Sequence, residues 1–190
     1  LPEASAQLDE AEALLDRSVP DGKELRASLL SVRASVTSAW KNDLAAAEAL
    51  QTRVVELRRD LPERHMLADD LNSLAVIRSK RGDLDGALAA YQESLAILRS
   101  TYGDSHRLVA ITLENMSGIY YRRKEHSLSL KMLDEVLAIR IQTFGEDGFP
   151  VARTRFNMGV VAADMGDPGR SLELIDGALP VFRKQLGPAH

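Results

Sequence analysis

Cysteine is absent from this chain of 190 residues, and aromatic residues are scarce, at 5%. Without cysteine the chain can form no disulfide, no thiolate metal site and no thiol nucleophile. The scarcity of aromatic residues, together with abundant alanine and leucine, favours helices over strands. Since 45% of the residues are hydrophobic, we expect a folded, all-helical protein with an ordinary apolar core.

The chain also lacks an excess of basic charge and any long hydrophobic run. Its net charge of −4 argues against general nucleic-acid binding, which normally needs a basic face. No apolar run approaches the roughly 18 residues of a membrane-spanning helix, and no charged-then-apolar signal pattern opens the sequence. We therefore expect a cytoplasmic protein that contacts neither nucleic acid nor membrane directly. The predominance of arginine over lysine favours a GC-rich bacterial source.

Motifs that carry catalysis are missing too. The sequence has no glycine-rich phosphate loop, no Gly-x-Ser-x-Gly elbow, no kinase signature and no His-x-x-x-His pair. The four histidines are scattered and have no carboxylate partners at metal-ligand spacing. We expect no enzymatic activity, no cofactor and no metal site.

What the chain does contain is a phrase that returns every 42 residues. It reads Leu-Ala-Ile-Leu-Arg-Ser-Thr-Tyr-Gly from Leu95, Leu-Ala-Ile-Arg-Ile-Gln-Thr-Phe-Gly from Leu137, and Leu-Pro-Val-Phe-Arg-Lys-Gln-Leu-Gly from Leu179. Periods of this length indicate stacked structural units, each too small to bury its own apolar face. The repeat therefore predicts an extended array of similar units.

Helical spacing of apolar residues predicts a pair of helices in each unit. The three clear pairs occupy 66–101, 106–143 and 148–186, with breaks at Gly82-Asp83, Lys124-Glu125 and Gly166-Asp167. A divergent pair at 22–60 and a leftover helix at 3–17 precede them. We expect a single array of about nine helices over 1–190. Both ends fall within the pattern, and Gly187-Pro188-Ala189-His190 reads as a connector to another pair, so we expect a fragment of a larger protein.

These phrases resemble the tetratricopeptide repeat, in its 42-residue form found in kinesin light chains. The resemblance rests on Leu71-Asn72-Ser73-Leu74-Ala75, Gly82-Asp83-Leu84, Leu95-Ala96-Ile97 and Tyr102-Gly103-Asp104-Ser105-His106. The second copy departs at the turn, where Lys124 replaces the glycine. The resemblance implies a right-handed superhelical solenoid of antiparallel helix pairs whose first helices line a concave groove.

The resemblance also implies which residues face a partner in that groove. They are Asp69, Asn72, Ser73, Val76, Lys80, Glu114, Asn115, Tyr121, Arg122, Arg153, Phe156 and Asn157. In related arrays an asparagine at the position shared by Asn115 and Asn157 binds an extended peptide, since one amide carries both a donor and an acceptor. Arg122 and Arg153 would pair with acidic groups, and Tyr121 with Phe156 would hold an apolar anchor.

Several readings stay open. Asn115 and Asn157 could instead tie one helix to its neighbour, and Arg122 could belong to a solvated helix end. The leading function is a protein-interaction module that binds a peptide segment of a partner, as a scaffold or regulatory part of a multidomain signalling protein. The alternative is a sensor that responds to a small peptide and controls an attached kinase or transcription regulator. Self-association through the end helices is a third option.

Overall fold

The computed structural model describes residues 2–19, 22–40 and 43–187, and these form nine α-helices without strands. The helices are α1 (Pro2–Ser18), α2 (Lys23–Trp40), α3 (Leu44–Arg59), α4 (Arg64–Arg81), α5 (Leu84–Tyr102), α6 (Arg107–Arg122), α7 (His126–Phe144), α8 (Phe149–Asp164) and α9 (Pro168–Leu186). The predicted all-helical class and number of helices are confirmed. The predicted connector at 188–190 lies outside the described residues.

The chain divides into two compact units, Leu1–Thr101 and Tyr102–His190. Within unit 1, α1 packs on α2, α2 on α3 and α3 on α4, and hydrogen bonds join α4 to α5. Within unit 2, α6 packs on α7, α7 on α8 and α8 on α9. Because turns of only a few residues separate these neighbours, each pair is antiparallel. That all helices form one array stays a prediction.

Aspartate side chains start the second helices of three pairs. The carboxylates of Asp43, Asp83 and Asp167 each accept a hydrogen bond from the backbone amide three residues further on, at 2.9–3.0 Å. Such caps satisfy backbone donors that have no partner inside the helix. In the remaining pair Glu125 takes this place, without a side-chain cap. The turn chemistry read from the sequence therefore sets where these helices begin.

Small clusters of buried apolar residues join the helices within each unit. In unit 1 the cluster comprises Ala27, Leu30, Val54 and Leu57. In unit 2 it comprises Leu130 and Leu133 of α7 with Met158 and Val161 of α8. On each of α7 and α8 the contributing residues are three apart, so they share one helix face. The α7–α8 cluster fixes the two helices that carry most of the candidate site.

The turn between α6 and α7 offers a test of the repeat. Lys124 adopts a left-handed φ of +63°, whereas Gly82 and Gly166 hold φ values of +91° and +80° at the same repeat position. A side chain in this region is strained by about 1 kcal/mol. We therefore expect Lys124→Gly to raise the free energy of unfolding by about 0.5–1 kcal/mol, and Tm by roughly 2–4 °C. A lower Tm would mean that the Lys124 ammonium, 5.9 Å from the Tyr121 ring, contributes more than the strain.

Candidate functional site

The first helices of the two pairs in unit 2, α6 and α8, are bridged at two points. Arg153 of α8 donates to Glu114 of α6 at 3.0 Å. Near the carboxyl ends of both helices, the Tyr121 hydroxyl donates to Asp164 at 2.5 Å. The two bridges lie at opposite ends of the shared face, so they fix the spacing of α6 and α8.

A cleft of about 250 Å³ opens between these bridges, with α7 beneath it. Its lining residues are Glu114, Ser117, Gly118, Tyr121, Ser129, Leu133, Asn157, Val160 and Val161. Leucine and valine side chains form its apolar part, and the serine, asparagine and glutamate groups supply polar atoms. An apolar hollow with a few convergent polar groups is the usual form of a ligand site.

Glu114 is held by two arginines. Arg140 of α7, which is buried, donates to both carboxylate oxygens at 2.8 and 2.7 Å, and also donates to Thr154 at 2.7 Å. Burial alone would raise the pKa of Glu114, but the hydrogen bond from Arg140 and the charges of Arg140 and Arg153 outweigh it, so the pKa is lowered. Glu114 is therefore an ionised strut between helices.

The three asparagines among the predicted site residues differ in their contacts. The Asn72 amide donates to the Ser94 hydroxyl at 2.6 Å and to the Ala68 carbonyl at 3.1 Å, which ties α4 to α5. Asn115 and Asn157 are half-buried. Among the residues that the structure describes, none hydrogen-bonds to either of their amides. These two side chains keep donors and acceptors for a ligand.

One repeat position faces inward. Asn72, Glu114 and Phe156 stand 42 residues apart, and each contacts the second helix of its own pair. Their partners are Ser94 at 2.6 Å, Arg140 at 2.7 Å and Phe182, whose ring centroid is 6.0 Å from that of Phe156. Packing inside the pair therefore engages three of the residues predicted for the groove. Phe156 still exposes 41% of its surface.

The predicted residues of unit 1 lie on an outward face of α4. Asp69, Ser73, Val76 and Lys80 are all exposed, and their spacing of four, three and four residues places them along one side of a helix. The Ser73 hydroxyl donates to the Asp69 carbonyl at 3.1 Å. Partial burial of its carboxyl, with the charge of neighbouring Asp70, raises the pKa of Asp69.

The charged and aromatic candidates of unit 2 are engaged to different degrees. Arg122 is exposed at the end of α6, whereas Arg153 is bound to Glu114. The hydrogen bond to Asp164 raises the pKa of the Tyr121 hydroxyl, because it stabilises the protonated form. Tyr121 also meets the His126 ring edge-on, with centroids 5.5 Å apart. It acts as a side wall of the cleft.

Two residues of the site were missed from the sequence. Arg140 is buried at a position where Leu98 stands 42 residues earlier, and buried Ser129 replaces Ala87 in the same way. In each case the signal was a polar residue at an apolar or small position of the repeat. Aligning the copies residue by residue would have revealed both.

Metal and membrane sites were also sought. Across 2–19, 22–40 and 43–187, no group of three or more histidine, cysteine, aspartate or glutamate residues could hold a metal ion. None of the helices described is long and apolar enough to cross a membrane.

Comparison with known proteins identifies the repeat. The tetratricopeptide-repeat family model matches residues 70–142. The crystal structure of BtubC (BKLC) from P. vanneervenii is similar at a TM-score of 0.81 with 20% identity, covering 99% of this chain and 78% of that one. A putative kinesin light chain of Podosopora anserina, with nearly identical TPR-like repeats, reaches 0.82 with 16% identity, covering 96% and 87%.

A curated relative matches over a shorter stretch. RxLR effector protein SFI4 of Phytophthora infestans (strain T30-4) is 20% identical over 111 residues, or 58% of this chain. The match spans 32% of that relative's length.

These similarities confirm the resemblance that the 42-residue phrase predicted. At such low identity the solved structures establish the fold, and repeats of this fold serve in general as protein-interaction scaffolds. The chain belongs to the tetratricopeptide-repeat proteins, with family-model repeats at 70–142 and the fold of kinesin-light-chain-like repeats.

Proposed function

We propose that unit 2 binds an extended peptide segment of a protein partner along the face shared by α6 and α8. The observation that carries this proposal is the pair of asparagines at one repeat position, Asn115 and Asn157. Both amides are half-buried and make no hydrogen bond within the part of the chain that the structure describes. A peptide unit offers one donor and one acceptor, and a side-chain amide satisfies both.

The bridges on either side of the cleft support a binding role. Glu114 with Arg153, and Tyr121 with Asp164, hold the two helices together before any ligand arrives. A surface that is ordered in advance loses less conformational entropy on binding, which favours affinity. We therefore place the chain with scaffolds, as a regulatory or docking part of a signalling protein, rather than with sensors that change shape on binding.

Replacing both asparagines tests the proposal. Peptides selected on the wild-type chain from a displayed random library are measured by fluorescence anisotropy against wild type and the Asn115→Ala/Asn157→Ala variant. We expect the variant to bind about tenfold more weakly, since two hydrogen bonds of about 0.5–1.5 kcal/mol each are lost. We expect its Tm to stay within about 2 °C of wild type, because neither amide has a protein partner to lose.

Asn72→Ala provides the matched control. Its amide joins α4 to α5 through Ser94 and Ala68, so this variant should lose stability. Equal affinity of the selected peptides for wild type and the double variant would contradict the proposal. So would a loss of stability in the double variant as large as that of Asn72→Ala, since the asparagines would then be structural.

A further inference from the structure

One hydroxyl in the α6–α8 cleft lacks a hydrogen-bond partner. Ser129 of α7 is only 1% exposed and lines the cleft. Its oxygen is buried and accepts or donates no hydrogen bond among the described residues. Buried hydroxyls are normally paired, because leaving one unpaired is destabilising.

Ser129 differs in this respect from other hydroxyl residues inside these helices. Thr112 and Thr154 each donate to the backbone carbonyl four residues earlier, at 3.1 and 2.9 Å. At the repeat position of Ser129 the preceding unit has Ala87, which is fully buried. An alanine therefore satisfies the packing of the helix pair, and the hydroxyl serves no evident structural purpose.

The space above Ser129 can hold a side chain. The cleft measures about 250 Å³, and an apolar cavity of roughly 150 Å³ is large enough for a benzene ring. A Cβ atom added at Gly118 would meet no atom within 4 Å, so the cleft is open on the α6 side. Leu133, Val160 and Val161 supply the apolar walls.

The charges around the cleft are already paired. The carboxylate of Glu114 is bound by Arg140 and Arg153, and Asp164 accepts the hydrogen bond of Tyr121. An ionised side chain entering the cleft would lose its water and gain no new counter-charge, which is unfavourable. An uncharged side chain would meet the apolar walls and could pair with the Ser129 hydroxyl.

We propose that the cleft is a specificity pocket for one uncharged side chain with an apolar body and a hydrogen-bonding tip, which pairs with the Ser129 hydroxyl. This inference rests on the proposed function in one respect: the side chain belongs to the peptide segment held by Asn115 and Asn157. It adds the chemistry of the segment, which backbone contacts to asparagine leave unspecified.

Small probes test the pocket without any peptide. The ¹⁵N-labelled chain is titrated with p-cresol and with toluene, which share a ring and differ by one hydroxyl. In wild type we expect both to shift the amide resonances of Gly118, Leu133 and Val160, and p-cresol to bind about fivefold more tightly, the ratio that one ordinary hydrogen bond provides. In Ser129→Ala the ratio should fall to about one. In Gly118→Leu, whose side chain fills the opening, neither probe should bind.

Stability separates this role from a structural one. We expect Ser129→Ala to melt at or above the wild-type temperature, because it removes an unpaired buried hydroxyl and restores the alanine found at residue 87. Absence of p-cresol binding at the cleft, equal binding of p-cresol and toluene to wild type, or a preference for p-cresol that survives in Ser129→Ala would overturn the pocket. A marked fall in Tm for Ser129→Ala would do the same, since the hydroxyl would then stabilise the fold.

The two proposals fail separately. Peptides that depend on Asn115 and Asn157, combined with no p-cresol preference, would retain the peptide-binding face and remove the pocket. A Ser129-dependent preference for p-cresol, combined with peptides indifferent to both asparagines, would retain the pocket and remove the peptide-binding face.

Discussion

Asp70→Ala is expected to lower the free energy of unfolding by about 3–5 kcal/mol, because it leaves a buried guanidinium without its counter-charge. Asp70 and Arg58 are 6% and 5% exposed, and the Arg58 Nε donates to the Asp70 carboxylate at 3.1 Å. Gln51 and Ser31 also donate to that carboxylate, each at 3.1 Å. Alanine removes all three acceptor contacts from the interior of unit 1.

The repeat itself suggests the matched control. In the next copy Leu98 stands in place of Arg58, and Thr112 stands in place of Asp70. The double variant Arg58→Leu/Asp70→Thr removes both charges, and replacing a whole buried ion pair is often close to neutral. We expect it to recover most of the loss, as measured by urea unfolding followed by circular dichroism. A single variant that loses less than about 1 kcal/mol, or a double variant as unstable as the single, would show that the pair is unimportant.

Much of the fold could be predicted because it depends on local signals. The return of Leu-Ala-Ile at Leu95 and Leu137 gave the period, and glycine or aspartate at Gly82-Asp83 and Gly166-Asp167 marked the turns. The helices in the structure begin and end within two residues of the predicted bounds. Even Lys124, which breaks the glycine pattern, holds the same left-handed turn. Here the position in the repeat outweighs the residue's own preference.

The site was harder to predict because it depends on which neighbour covers each helix face. Asn72 and Ser73 are adjacent in sequence, yet their side chains point about 100° apart on the helix. Asn72 turns towards α5 and bonds Ser94, whereas Ser73 is exposed. The repeat register placed both in one group. Only the packing of the second helix separates them.

The ion pairs across helices escaped prediction for a related reason. Arg140 occupies a position that is apolar in the flanking copies, as Leu98 and Phe182. Its charge is tolerated there because Glu114 stands opposite, where the third copy has Phe156 facing Phe182. The partners are 26 residues apart in sequence, so no local pattern connects them.

Glu114→Ala is expected to be the other strongly destabilising substitution, with a loss of about 2–4 kcal/mol. Its carboxylate is the acceptor for Arg140, whose side chain is only 6% exposed, and for Arg153. Without it, Arg140 retains its bond to Thr154 at 2.7 Å but no opposite charge. Because the same carboxylate bridges α6 to α8, peptide affinity should fall together with stability.

The pH dependence of Glu114→Gln provides the sharper test, because glutamine keeps the shape and removes the charge. The folded-state pKa of Glu114 lies below its usual value of 4.5, so the unfolded chain binds the proton more readily. The stabilising contribution of the carboxylate is therefore complete above about pH 4.5 and is lost as the pH falls through the folded-state pKa. The difference in unfolding free energy between wild type and Glu114→Gln should stay constant from about pH 7 to 5 and shrink below. Glu48, whose pKa is also lowered, titrates in both proteins and cancels. A difference that does not change with pH would mean that the Arg140 contact contributes through shape rather than charge.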